Sequence, residues 1–136
     1  MDMREVKSWL QSRNIPNSIS KVRPQVVCTR TKLKKGSLDA VRKWFQTLYD
    51  RKDELLAFTE EGISLESVFL EKSGDDDFLL FYARSDDFEK TYKAILKALL
   101  PITVYHYSCW KSCCEDDSET LEVLFDLERT SFFHSP

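Results

Sequence analysis

The stretch FLLFYAR, residues 78–84, places the strongest constraint on the fold of this 136-residue chain. Successive side chains of an extended strand point to opposite faces of its sheet. One face of this strand would carry Phe78, Leu80 and Tyr82. The other face would carry Leu79, Phe81 and Ala83. Neither set suits water, so both faces of the sheet need a cover. A chain this short cannot supply both covers, so we expect helices on one face and a second copy of the chain on the other.

Short elements precede this strand in a regular order. Residues 25–33, QVVCTRTKL, are rich in β-branched residues and predict a strand. Apolar residues at helical spacing predict a long helix over 37–61, capped by Ser37 and kinked near the charged DRKDE. Residues 64–72 predict a second strand, and Gly74 indicates a hairpin turn into residues 78–84.

A second helix and a last strand follow. Asp86 and Glu89 have the spacing of a capping box at the start of this helix. Its buried stripe is predicted to consist of Phe88, Tyr92, Ile95, Leu96 and Leu99. Pro101 ends the helix and is suited to begin another, since proline is tolerated in a first helical turn. Residues 120–128, TLEVLFDLE, then predict the last strand.

Strand, helix and strand therefore occur twice, which is the β-α-β-β-α-β order of ferredoxin-like α+β folds. We expect a four-stranded antiparallel sheet with two helices on one face and an extra helix before the last strand. This domain is predicted to span residues 24–129. Residues 1–23 are predicted to form an N-terminal extension and linker, with a short amphipathic helix at 4–12, and residues 130–136 a C-terminal tail.

Composition and charge narrow the class of partner. The net charge of −3 comes from interspersed acids and bases, without the basic stripe of a nucleic-acid binder. No apolar run approaches the roughly 20 residues of a membrane span. The N-terminus carries Asp2 and Glu5 and lacks the apolar core of a signal peptide. We expect no nucleic-acid or membrane partner and a cytoplasmic location, in which the four cysteines are free thiols or ligands.

The run from VVCTRTKL through FLLFYARSDDFEKTYKA, with the later PITVYHYSCWKSC and LEVLFDLER, resembles an uncharacterised bacterial family of the domain-of-unknown-function type. The overall pattern is similar to the dimeric α+β barrel superfamily, which includes antibiotic-biosynthesis-monooxygenase-like proteins. The resemblance covers about residues 25–129. It implies a homodimer with a ligand cavity between sheet and helices in each subunit. It implies no reaction and no cofactor, so whether the protein is an enzyme stays open.

Five residues are candidates for a ligand site. Arg30, Glu66 and Tyr82 interrupt otherwise apolar strands, and together with Trp44 and His106 they would line one cavity if these strand faces point at the helices. His106 is the candidate catalytic acid or base, because imidazole titrates near neutral pH. Arg30 would fix an anionic group, and Tyr82 and Trp44 would pack an apolar ligand. Alternatively, Arg30 pairs with Glu66 or lies at a dimer interface, and His106 is a hydrogen-bonded structural residue.

The segment YHYSCWKSCCEDD, residues 105–117, raises the question of metal binding. On a helix that begins at Pro101, His106, Cys109 and Cys113 share one face. Imidazole and thiolate suit zinc, but zinc sites commonly draw ligands from two separated elements, and this sequence has no second ligand pair. A disulfide between thiols one helical turn apart exceeds the usual geometry. We therefore predict no metal site, with the cysteines packed as small apolar residues and the helix ending by about Cys114.

The sequence favours two function classes over a third, metal binding by residues 106–114. The first is a homodimer that binds or transforms a small molecule between sheet and helices. The second is a non-enzymatic homodimer that serves as an interaction or structural module, because the chain carries no strong catalytic motif.

Overall fold

The structure is a computed structural model that describes residues 4–5, 8–9, 25–56, 63–98 and 100–127. In chain order its elements are β1 (Gln25–Leu33), α1 (Leu38–Asp50), α2 (Lys52–Leu56), β2 (Ile63–Ser73), β3 (Asp76–Ser85), α3 (Phe88–Ala98), α4 (Pro101–Cys113) and β4 (Cys114–Thr120). The described residues of the N-terminal extension are helical. The predicted linker and C-terminal tail lie outside the described residues.

The four strands form one sheet in the order β2-β3-β1-β4, and every neighbouring pair is antiparallel. This order results from two β-α-β units whose strands interleave, which is the ferredoxin-like topology. The predicted α+β fold class is therefore confirmed, including the extra helix α4 before the last strand. The two central strands are β1 and β3, so the FLLFYAR stretch lies in the middle of the sheet.

The register assigns the two faces of the sheet. Thr31 lies opposite Leu79, and Arg30 lies opposite Leu80. Directly opposite residues share a face. Leu79 belongs to the hydrophobic core with residues of α1 and α4, so its face is the helix-covered face. The other face, called the open face below, carries Val26, Cys28, Arg30, Lys32, Leu65, Ser67, Phe69, Glu71, Phe78, Leu80, Tyr82 and Arg84.

The core fills the space between the helix-covered face and the helices. Leu33, Leu79 and Phe81 of the sheet meet Val41, Trp44, Ile95, Ile102, Trp110 and Cys113 of the helices. Trp44 and Ile102 are almost fully buried, with 1% and 0% of their surfaces exposed. Burial of a large apolar side chain contributes about 1.5–3 kcal/mol, so this layer holds α1 and α4 on the sheet.

Several predicted element boundaries are confirmed. The strand over residues 25–33 and the turn at Gly74, with φ 64°, are as predicted. The long helix is interrupted at Arg51, within the charged stretch expected to kink it. Pro101 occupies the first turn of α4, and the helix ends at Cys113. Among the described residues, no helix has the length and apolar character needed to span a membrane.

Of the two predicted helix caps, one is at the predicted residue and the other is one residue later. Ser37 is the N-cap residue of α1, as predicted, but its hydroxyl donates to the Lys34 carbonyl, 2.7 Å away, and makes no capping hydrogen bond. The cap of α3 is Asp87 and not Asp86, since Asp87 Oδ1 accepts the Lys90 backbone N–H at 3.2 Å. The strand β3 runs through Ser85, so the helix starts one residue later than the capping-box spacing suggested.

The predicted last strand, 120–128, is also wrong. The strand is β4, which begins directly after α4 and pairs with the outer edge of β1, with Thr31 opposite Ser118. Its acidic side chains are exposed, as an edge strand permits. Residues 121–127 continue past it without regular secondary structure and expose Val123, Leu124, Phe125 and Leu127. The apolar alternation was therefore correct as a pattern but does not mark the paired strand.

Candidate functional site

His106 and Trp44 form a direct contact between α4 and α1. The Trp44 indole N–H donates to His106 Nδ1 at 3.0 Å. Trp44 is 1% exposed, whereas His106 is partly exposed. Trp44 therefore has almost no surface with which to contact a ligand, whereas the sequence suggested that it would pack against an apolar ligand. Its polar atom instead holds the imidazole of the candidate acid or base.

Aromatic rings surround this contact; we call Trp9, Trp44, Phe81 and Trp110 the aromatic cluster. The centroid of the His106 ring lies 5.4 Å from Trp9, 5.3 Å from Trp44 and 6.2 Å from Phe81. Trp110 packs on Phe81 at 4.8 Å. These distances lie in the range of favourable aromatic contacts. The cluster thus fixes the plane of the imidazole while leaving part of it accessible.

An open groove runs beside the aromatic cluster, between the N-terminal helical residues and α4. Its lining is Arg4, Glu5, Ser8, Trp9, Tyr107, Trp110, Lys111, Cys114 and Asp116. Tyr107 donates a hydrogen bond to Glu5 at 3.2 Å, and burial, together with that bond, raises the pKa of the Tyr107 hydroxyl. The groove combines an apolar wall with charges of both signs. Sequence reasoning missed it because it depends on Trp9 of the N-terminal extension.

Arg30 and Tyr82 lie on the open face, on the opposite side of the sheet from His106. Arg30 Nε donates to Glu71 at 2.6 Å, and its guanidinium lies 3.6 Å from the centroid of the Phe78 ring. Its partner is thus Glu71 and not Glu66, because Glu66 projects from the other face of β2.

Glu66 lies opposite Ala83 on the helix-covered face and is exposed on the edge strand β2. The five candidate residues are therefore divided between two faces of the sheet. The structure does not bring the five together on one face, although Trp44 and His106 are joined by a hydrogen bond. Alternation of residues reveals which side chains share a face, but not which face the helices cover.

A further polar group was missed by sequence reasoning. Arg84, at the end of the FLLFYAR stretch, is buried on the open face and bonded through both terminal nitrogens to the Asp126 carboxylate. It also donates to the Tyr82 hydroxyl at 3.3 Å. The hydrogen bond with Asp126 raises the pKa of Arg84, so the guanidinium stays charged. This contact fixes the segment 121–127 beside the open face.

The cysteines of α4 pack as expected from their face of the helix. Cys113 is 3% exposed, and burial raises the pKa of its thiol. Burial also raises the pKa of Cys28 on the open face. A raised pKa lowers the thiolate fraction near neutral pH and with it the reactivity of the thiol. Within the described residues, no three His, Cys, Asp or Glu side chains converge in a way that could hold a metal ion.

Topology and packing define an α+β protein with ferredoxin-like topology, a sheet face that none of the described helices covers, and an aromatic cluster under its helices. Residues 24–131 match the family of unknown function DUF6176, and the chain belongs to that family. The expected resemblance to a family without an assigned function is thereby confirmed. No curated protein matches the chain.

Two solved structures are similar at low identity. The L-rhamnose mutarotase of Formosa agariphila is 19% identical, with a TM-score of 0.48 over 76% of this chain and 99% of its own. The cofactor-independent oxygenase SnoaB of Streptomyces nogalater is 12% identical, with a TM-score of 0.48 over 78% and 98%.

Proposed function

We propose that this protein is a homodimer that binds a small molecule on the helix side of each subunit. The open face is the observation that supports the homodimer. Its side chains on β2 and β3 are largely apolar, and the helices pack on the other face of the sheet. We place the dimer in the cytoplasm, on the support that none of its four cysteines is in a disulfide.

The open face presents large apolar side chains to solvent in a single subunit. Phe69 is 58% exposed and Leu65 48% exposed. Phe78 and Leu80, on the neighbouring strand, are only partly covered. Contiguous apolar surface of this kind marks an interaction site in most proteins.

The charges on the open face favour a second copy as the partner. In a twofold interface each surface patch meets its own copy, so an uncompensated charge would meet a like charge. Arg30 already pairs with Glu71, and Arg84 with Asp126. Lys32, the third cation among the described residues of this face, lies 3.6 Å from the Asp76 carboxylate. All three cations thus have an acidic partner within their own subunit, which lowers the electrostatic obstacle to self-association.

The dimensions of the sheet are also adequate. Four strands about 4.8 Å apart and about eight residues long give a flat footprint of roughly 500 Å². The relief of the side chains and the exposed segment 121–127 extend this surface toward the roughly 800 Å² per partner of a standard interface. The segment contributes Leu124 and Phe125, which are 87% and 82% exposed.

The Phe69→Glu variant tests the open face as the interface. We expect its dimer dissociation constant to rise by about 100-fold or more, because a buried unpaired carboxylate costs several kcal/mol. Sedimentation velocity over a concentration series measures the constant. Tyr49→Glu is the matched control, since Tyr49 is 74% exposed on α1, on the other side of the sheet. Equal dissociation constants for wild type and Phe69→Glu would contradict this interface.

The aromatic cluster supports a small-molecule site. Ligand sites combine apolar walls with a small number of well-placed polar groups. His106 supplies such a group, partly exposed and held by Trp44, and the neighbouring groove shares the walls Trp9 and Trp110. In this proposal His106 contacts the ligand and is the residue on which any acid or base chemistry depends.

A fragment library tests the site, with the ring resonances of His106 as the readout. We expect some fragments to shift these resonances and to quench tryptophan fluorescence. His106→Asn is expected to weaken those fragments about 10-fold, as for the loss of one hydrogen bond worth about 1.4 kcal/mol. Fragments that bind wild type and His106→Asn equally would contradict a role for His106.

The second candidate is a homodimeric interaction module without a ligand. It is favoured by one observation: Arg30 and Tyr82, expected to bind a ligand with His106, lie on the open face instead. A library without any hit at His106, together with a dimer that depends on Phe69, is the result expected for this candidate.

A further inference from the structure

We infer that Trp44 is a positioning residue that fixes the tautomer of His106, with the proton on Nε2, and that the ligand of this site therefore presents a hydrogen-bond acceptor oxygen. The ligand class in this inference depends on the proposed small-molecule site. The tautomer itself follows from the contacts of Trp44 and is measured without any ligand.

The indole N–H determines the state of the facing nitrogen. It is a donor only, so the atom that it contacts must accept. That atom is His106 Nδ1, 3.0 Å away. In the neutral ring one nitrogen carries the proton and the other accepts, so the proton lies on Nε2. A proton on Nδ1 would place two N–H groups against each other.

The surroundings keep Trp44 from finding another acceptor. Trp44 is 1% exposed, so water cannot take the place of His106. Its ring is stacked on Phe45 at 4.3 Å between centroids and packs against Trp110 at 6.3 Å. A buried donor without an acceptor costs free energy. The tautomer with the proton on Nδ1 bears this cost, because it leaves the Trp44 N–H without its acceptor. The imidazole is confined as well, by the Trp9 and Phe81 rings.

The fixed tautomer defines the ligand chemistry. Nε2–H is then a donor, so a ligand that forms a hydrogen bond with it must offer an acceptor. Carbonyl, carboxylate and phosphate oxygens satisfy this requirement, whereas an ammonium group does not. Since the walls of the site are aromatic, we expect a ligand with an apolar or aromatic body that carries such an oxygen.

The tautomer is tested by two-dimensional ¹H–¹⁵N NMR of the imidazole ring, recorded at about pH 8, above the ordinary titration range of imidazoles. In the wild type we expect a pyridine-type Nδ1 signal and a pyrrole-type Nε2 signal. In Trp44→Phe we expect the two signals to move toward each other, because the second tautomer becomes populated. Trp110→Phe is the matched control: it makes the same exchange in the cluster, keeps the Trp44 N–H, and should leave the wild-type pattern.

A pyrrole-type Nδ1 in the wild type would overturn the inference, and this outcome needs no variant. A folded Trp44→Phe protein with the wild-type pattern would overturn it too. The ligand class is tested with benzoate and benzylamine, which share a ring but offer an acceptor or a donor. We expect benzoate to shift the His106 signals at a concentration at least 10-fold lower. Preference for benzylamine, or no shift with either probe, rejects the ligand class, and the tautomer result then shows whether Trp44 still acts as inferred.

Discussion

Replacement of Trp44 by alanine is expected to lower the free energy of unfolding by about 3–5 kcal/mol, as for other buried aromatic residues. Trp44 is 1% exposed and contacts Phe45, His106 and Trp110, so alanine leaves a cavity where α1 meets α4. It also removes the N–H that donates to His106. Urea unfolding followed by circular dichroism measures the change, at one fixed protein concentration because a dimer gains stability with concentration.

Two comparisons make this result specific. Trp44→Phe retains most of the volume and should lose about 1–3 kcal/mol, chiefly through the hydrogen bond. Tyr49→Ala on the same helix removes a side chain that is 74% exposed, and should change stability by less than about 0.5 kcal/mol. A loss below about 1 kcal/mol for Trp44→Ala would show that the packing centre lies elsewhere.

The Asp126→Ala variant is expected to cost about 1–3 kcal/mol, because it takes the carboxylate away from a buried guanidinium. Arg84 has 10% of its side chain exposed and Asp126 has 27%, so water screens the pair only in part. The variant should also free residues 121–127 from the open face. Urea unfolding measures the first effect, and the rate of limited proteolysis in this segment measures the second.

The control for this variant is Glu122→Ala, on the same segment but exposed. It should change neither stability nor proteolysis by a comparable amount. The double variant Arg84→Met with Asp126→Ala should recover part of the loss, since it removes the buried charge as well as its partner. A double variant less stable than Asp126→Ala would contradict the view that the buried charge causes the loss.

The sequence predicted the order of the elements well because their signals are local. Residues 25–33 are β-branched, Gly74 supplies a turn, and Pro101 begins a helix, each through its own backbone preference. The interruption at Arg51 likewise falls in a charged stretch without a buried stripe. Such signals need no knowledge of the tertiary structure.

The prediction of the last strand was wrong because the position of that strand depends on tertiary structure. The apolar residues of this segment alternate as in a strand: Leu121, Val123, Phe125 and Leu127. However, β1 has only one edge that is not paired with β3. The residues directly after α4 occupy that edge. The acidic β4 is acceptable there because an edge strand can direct charges into water. The apolar alternation of 121–127 instead leaves exposed surface beside the open face, which the homodimer would cover.

The candidate site was only partly predictable, because the alternation of residues along a strand does not determine which face of the sheet the helices cover. The pattern correctly grouped Arg30 with Cys28, and Tyr82 with Leu80. It did not reveal that the helices cover the other face, where β1 carries Thr31. This residue is fully buried, with its hydroxyl hydrogen-bonded to Ser118 at 2.7 Å, so a polar position in the sequence is a core position in the fold.

The proposed homodimer requires that a second copy of the chain covers the open face. Static light scattering on the wild-type protein at about 10 µM tests it most directly, since a stable interface of standard size remains assembled at micromolar concentration. We expect a mass of twice the 16.0 kDa of one chain. A mass of 16.0 kDa across the micromolar range would contradict it.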